Sequence, residues 1–160
     1  MKKTIALVAH DSLKQTLAEW VKQHVTLLAD HDLVCTGTTG TLIESVLKAN
    51  LPTDSFEKLN IHKLKSGPLG GDQQLGARIA EGQVDLLIFL WDPMSAQPHD
   101  VDVKALLRIS AIYNVPTANN EATADYLIQS PLFKSGYQPK EFDYSQYLGR
   151  KVHQYRLDQE

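Results

Sequence analysis

A parallel β-sheet with helices on both faces, three layers in an α/β class, is the fold that this sequence predicts. Three observations carry it. Short apolar runs recur without polar interruption, as strands buried on both faces require. Each run is succeeded by a segment whose apolar residues recur at helical spacing. Loops rich in glycine and hydroxyl residues stand where the runs end. Repeated βα units with right-handed crossovers then give a doubly wound, Rossmann-like parallel sheet of about five strands.

Ile5 to Ala9 reads as a fully buried strand, and Ser12 to about Ala29 as one helix with Leu13, Leu17, Trp20 and Val21 on its apolar side. Leu33 to Cys35 is a second strand, and Leu42, Ile43, Val46 and Leu47 mark a second helix. The stretch 50–60 reads as a surface excursion before a third strand, Ile61 to Leu64. Leu75, Ala77, Ile79 and Ala80 mark a third helix, closed by Gly82. Leu86 to Leu90 is the strongest strand signal, and a helix carrying Val103, Leu106, Leu107 and Ile109 comes next. Val115 to Ala118 is the last strand and Ala122 to Gln129 the last full helix, before Pro131. Weak helical character returns near Ser145 to His153.

The 160 residues read as a single domain over 1–160, large enough for a core without disulfide or metal staples. A net charge of −3 argues against a nucleic-acid or membrane-surface partner, which would select a basic face. Any attraction for an anion must therefore be local. The one cysteine, Cys35, excludes an internal disulfide and fits a reducing cytosol; inside an apolar run it reads as a buried, inert thiol. The first residues lack the long apolar core and cleavage site of a signal peptide, and no apolar stretch approaches membrane-spanning length.

Ligands of open α/β sheets bind beyond the carboxyl ends of the strands, so the residues just past each strand carry the functional signal. Those ends carry His10-Asp11, Thr36-Gly37-Thr38-Thr39-Gly40, Ser66-Gly67, Trp91-Asp92-Pro93 and Asn119-Asn120. The Thr36 to Gly40 stretch offers backbone N–H groups and hydroxyls suited to a phosphate, though it is neither a P-loop nor a GxGxxG fingerprint. A turn with Thr41 and Glu44 as capping box is the plain alternative, and both can hold together. Lys14 falls in a first helical turn, where the macrodipole disfavours a cation; it is either an anion ligand or a solvated lysine. His10 is either a ligand contact or a histidine satisfied at a strand end.

Asp72 stands at a helix start beside Ser66-Gly67-Pro68-Leu69-Gly70-Gly71. As an N-cap its pKa would fall, whereas a general base gains from a pKa raised by burial; the residue types leave both open. Asp100 and Asp102 read as caps of the helix near Val103. His99, in the loop before them, is either structural or a neutral imidazole able to donate to an enolate oxygen. His10, Asp72, Asp92, His99 and Asp102 lack metal-ligand spacing, so no metal site is expected.

These residues, in this order, resemble the methylglyoxal synthase family. The matching strings are Ile5 to Asp11, Thr36 to Gly40, Ser66 to Gln74, Phe89 to Pro93, Pro98 to Arg108 and Ala122 to Asp125, covering roughly residues 4–130. The resemblance implies a carbon–oxygen lyase that turns dihydroxyacetone phosphate into methylglyoxal and inorganic phosphate, with no cofactor. It carries Asp72 over as catalytic base and His99 as partner of the enediolate oxygens. His10, Lys14, Thr36, Gly37, Thr38, Thr39, Ser66 and Gly67 carry over as substrate and phosphate contacts, and Asp92 and Asp102 as acidic positions near the site. It also implies a cytoplasmic homohexamer regulated by phosphate. Two stretches depart from the family pattern: 50–60 is longer, and the 131–160 tail diverges. In that tail Arg150, Lys151 and Arg156 compete for the place of a phosphate-sensing basic residue. A non-catalytic effector-binding domain, like that of carbamoyl-phosphate synthetase large chains, is the alternative.

Overall fold

The computed structural model describes residues 1–96 and 99–149. Arg150, Lys151 and Arg156 lie outside the described residues, as does the end of the helical stretch expected near 145–153.

Five strands form one all-parallel sheet in the order β3-β2-β1-β4-β5. They are β1 (Thr4–Ala9), β2 (Asp32–Cys35), β3 (Ile61–Lys63), β4 (Leu86–Leu90) and β5 (Thr117–Ala118). The central β1 pairs with β2 through Ile5↔Leu33 and with β4 through Ile5↔Leu86. Nine helices accompany the sheet among the described residues: α1 (Lys14–Gln23), α2 (Val25–Leu28), α3 (Gly37–Asn50), α4 (Thr53–Phe56), α5 (Gly71–Ala80), α6 (Asp100–Ile112), α7 (Glu121–Gln129), α8 (Pro131–Lys134) and α9 (Ser145–Leu148).

The two-residue period of the strands sorts the core into two. Ile5, Leu7 and Ala9 pack with Leu17, Trp20, Ile43, Leu47, Ala124 and Ile128, so α1, α3 and α7 cover one face. Ala6 and Val8 pack with Leu75, Ile79, Val103 and Leu106, so α5 and α6 cover the other. The chain runs outward from β1 to β3 on the first face, then returns to β4 by way of α5 on the second. That reversal opens a crevice beyond the carboxyl end of β1.

Several elements differ from the sequence reading, each for a local reason. The helix expected from Ser12 to Ala29 begins as a 3₁₀ turn over Asp11–Leu13 and is interrupted at His24, which has φ −115° and ψ 18°. There the His24 ring packs on Trp20 and its Nε2 lies 3.2 Å from Asp125 Oδ1, which also accepts the Trp20 indole N–H at 2.8 Å. This tie to α7 overrides the helical pattern. α3 starts at Gly37 with Thr36 as N-cap, so Thr41 lies inside the helix and forms no capping box with Glu44. Glu44 instead accepts from Lys63 Nζ at 2.8 Å. The 50–60 stretch is not merely a surface excursion: it holds α4, and Leu51, Phe56 and Leu59 pack against the core. β5 is shorter than the Val115 to Ala118 reading, because Pro116 has no N–H to give a neighbouring strand. α7 is capped by Asn120, whose side chain accepts the Thr123 N–H.

Candidate active site

The carboxyl ends of the strands open onto a cavity of about 300 Å³. Of the residues singled out in the sequence, His10, Lys14, Thr36, Thr38, Thr39, Ser66, Gly67 and His99 line it. Ala9, Asp11 and Pro68 complete the lining. Gly37 and Asp72 stand just behind it, while Asp92 and Asp102 do not line it.

One end of the cavity is built to hold an anion. At Gly37 the backbone has φ +24°, and a Cβ there would sit 2.6 Å from Ser66 Cα, so only glycine fits. Its N–H donates to the carbonyls of Leu64 and Lys65, which presses the loop after β2 onto the loop after β3. Among the described residues, the amides of Thr38, Thr39, Ser66 and Gly67 donate to no acceptor of the chain. Two of these four belong to the first turn of α3, where the helix dipole adds partial positive charge. Lys14 Nζ reaches the same place, donating to the Thr38 hydroxyl and to the Asp11 carboxylate. That hydrogen bond holds the Asp11 carboxyl below its ordinary range.

Behind Gly67 stands Asp72, which is 4% exposed and lines the neighbouring groove between α5 and α6. It is not a helix cap. The N-cap of α5 is Gly70, in the left-handed conformation at φ 98°, and Asp72 comes two residues later with no capping bond. Among the described residues its Oδ2 is buried without a hydrogen-bond partner, and His99 Nε2 is 3.6 Å away. Burial pushes its carboxyl above the ordinary value; the Asp102 charge adds to the rise, while His99 and His10 oppose it. Gly67 lies between carboxylate and imidazole: a Cβ there would stand 3.0 Å from both Asp72 Oδ2 and His99 Nε2.

His10 supplies a donor of fixed orientation. Its Nδ1 accepts the Asp92 N–H at 3.2 Å, which leaves the ring proton on Nε2. That Nε2 is buried and unbonded within the chain, and the ring packs edge-on to Phe89 and His99. Burial lowers its pKa, so the imidazole is neutral at pH 7. His99 occupies the N-cap position of α6 without a side-chain capping bond. Asp100 and Asp102, expected as caps, sit in the first turn of α6 and cap nothing. Asp102 faces the groove between α5 and α6, on the far side of Asp72.

Asp92 serves the loop after β4 instead of the cavity. Its Oδ2 accepts the hydroxyls of Ser12 (2.6 Å) and Ser95 (2.7 Å), and its Oδ1 accepts the Met94 N–H (2.9 Å). These donors, the Ser12 hydroxyl foremost, bring its pKa down to about 2. Ser12 was not visible as a site residue in the sequence, since an exposed serine after a strand carries no distinguishing pattern. Asp11 and Pro68 were visible only as neighbours of His10 and Gly67. Among the described residues, no three His, Cys, Asp or Glu side chains come close enough to hold a metal ion.

Known proteins share the sequence and the fold. The model of the MGS-like domain family matches residues 16–119. A methylglyoxal synthase of Maridesulfovibrio salexigens is 52% identical over 153 residues, covering 94% of this chain and 98% of the relative. One from Coxiella burnetii is 52% identical over 150 residues, with the same coverage. The crystal structure of methylglyoxal synthase from Elizabethkingia anophelis NUHP1 superposes with a TM-score of 0.84 at 48% identity, covering 96% of this chain and 94% of that one.

Proposed function

This chain belongs to the methylglyoxal synthase family, and on that premise we propose how its residues turn dihydroxyacetone phosphate into methylglyoxal and inorganic phosphate. The observation that carries the reading is a buried carboxylate, Asp72, whose Oδ2 meets no donor among the described residues, one glycine away from an anion cradle of free amides. An effector-binding module gains nothing from such a group, which costs stability and repels an anion. A proton-abstracting enzyme requires it.

The substrate phosphate sits against the amides of Thr38, Thr39, Ser66 and Gly67, with Lys14 and the threonine hydroxyls completing the grip. The hydroxymethyl carbon then reaches Asp72, which removes its proton. Negative charge develops on the enediolate oxygens, where the Nε2–H of His10 and the His99 imidazole donate. The C–O bond to phosphate breaks with its electron pair leaving on phosphate, and the resulting enol tautomerises to methylglyoxal. Elimination needs that C–O bond roughly perpendicular to the enediolate plane. The backbone-to-backbone contact of Gly37 with Ser66 supports a fixed phosphate position and hence a fixed torsion.

No helix among the described residues is long and apolar enough to cross a membrane. We place the enzyme in the cytoplasm as a single 1–160 domain assembling into homohexamers. Leu69, Met94 and Val101, exposed apolar side chains on the segments that follow β3 and β4, support a subunit contact there. Inorganic phosphate, the product, fits the same amide cradle and regulates from it. Incubation with dihydroxyacetone phosphate tests the chemistry: methylglyoxal and phosphate appear in equal amounts. Phosphate alone means a phosphatase, glyceraldehyde phosphate an isomerase, and no product a binding module. Light scattering tests the hexamer.

A further inference from the structure

Gln74 belongs to the same sequence motif as Asp72 but does not line the cavity. Its Oε1 accepts the Lys65 N–H at 2.8 Å. A backbone donor needs an acceptor, so the amide oxygen is the atom that points there. Lys65 lies beyond the last paired residue of the edge strand, Lys63, and no neighbouring strand can take its N–H. The same short stretch is held at two further points. The Lys65 carbonyl accepts from Gly37 N–H at 3.0 Å, and the Ser66 carbonyl accepts from Gly71 N–H at 2.9 Å. Gly71 approaches so closely that a Cβ would stand 2.0 Å from the Lys65 carbonyl oxygen.

We propose that Gln74 is a positioning residue that clamps the phosphate-gripping Ser66-Gly67 loop to α5, the helix carrying Asp72, and so sets the distance between grip and base. This rests on the function proposed above. Gln74 touches neither the substrate nor the cavity. It makes the loop and the base one rigid piece, so that a held phosphate presents its C–O bond at the angle elimination needs. The enediolate has two fates. Either the C–O bond breaks and phosphate leaves with the electron pair, or Asp72 returns a proton to carbon and substrate is regenerated. A loosened loop leaves proton abstraction intact and disfavours only the first fate.

The test uses the full chain in D₂O with dihydroxyacetone phosphate, monitoring by NMR both deuterium in recovered substrate and methylglyoxal release. Gln74→Met keeps the side-chain length and removes the amide oxygen; Gln74→Glu keeps an acceptor. In Gln74→Met the ratio of exchange to elimination rises about tenfold, the scale of one lost hydrogen bond, with kcat for methylglyoxal falling more than KM changes. Gln74→Glu restores the ratio to near that of the unaltered protein. Exchange and elimination falling together, or Gln74→Glu behaving like Gln74→Met, overturns the proposal. If Gln74→Met does not fold, amide hydrogen exchange of Lys65 in the unaltered protein decides: strong protection supports the clamp, free exchange removes it. An unaltered protein that gives neither deuterated substrate nor methylglyoxal overturns the proposed function and this inference with it. Methylglyoxal from the unaltered protein with an unchanged ratio in the variants removes the clamp alone.

Discussion

The start of α5 and the loop after β4 each carry an aspartate, and they hold it in opposite ways. Asp72 is buried, its Oδ2 bonded to nothing, and its carboxyl is pushed up. Asp92 is half-buried, accepts three hydrogen bonds, and is held at about 2. The first carboxylate has lone pairs free for a substrate proton. The second has spent them on Ser12, Ser95 and Met94, and in doing so holds the loop whose N–H fixes the tautomer of His10. Residue type is the same; the count of donors in reach decides between reagent and brace.

The contrast breaks most sharply at the reagent. Asp72→Asn lowers methylglyoxal formation by roughly 10²–10⁴-fold, the range of a lost general base, while a phosphate-bearing substrate analogue still binds. Near-normal turnover would remove Asp72 as base. Gly67→Ala comes next. A methyl group 3.0 Å from both Asp72 and His99 must displace one of them, and a misplacement of that kind costs roughly 10²-fold in kcat, measured by steady-state assay. Asp92→Ala costs less, about tenfold at most, because it loosens a brace without touching the reacting atoms.

Stability separates the same two residues by sign. Above the ordinary carboxylate value of 3.8, unfolded Asp72 is charged at no cost and folded Asp72 is charged at a cost. Asp72→Asn therefore raises Tm at neutral pH, by roughly 2–4 °C, and the gain disappears below 3.8 where both states are protonated. Asp92 does the reverse. Its depressed pKa contributes stability above 3.8 that is lost as pH falls towards about 2, so thermal scans of Asp92→Ala show a deficit only above that window. The smallest effect is at Asp102, whose charge raises the Asp72 pKa from across the α5–α6 groove. Asp102→Asn moves the acidic limb of kcat/KM to lower pH. A limb that stays in place would deny the coupling.

Much of this was legible from residue order. Uninterrupted apolar runs marked β1, β2 and β4, and the polar residues just past β1, β2 and β3 converge on one cavity because parallel strands share a carboxyl edge. The environment of each site residue was not legible. An aspartate at a helix start reads as a cap, yet Gly70, in a left-handed conformation only glycine adopts freely, starts α5 and leaves Asp72 one turn-position too deep to cap anything. The start of α3 was placed late for a related reason. Gly37 to Gly40 are poor helix formers, and the close fit of Gly37 against Ser66, a contact between residues far apart in sequence, begins the helix there. The break at His24 likewise depends on Asp125, far along the chain.

Cys35 stands one residue before Thr36, whose side chain lines the cavity, yet its own thiol points into the opposite layer of the core. It is 0% exposed, and burial pushes its pKa up to about 12. The compound released from the cavity is a 1,2-dicarbonyl, an electrophile that modifies thiolates. The alternation of a β-strand thus leaves this catalyst with no accessible thiolate to attack its own product.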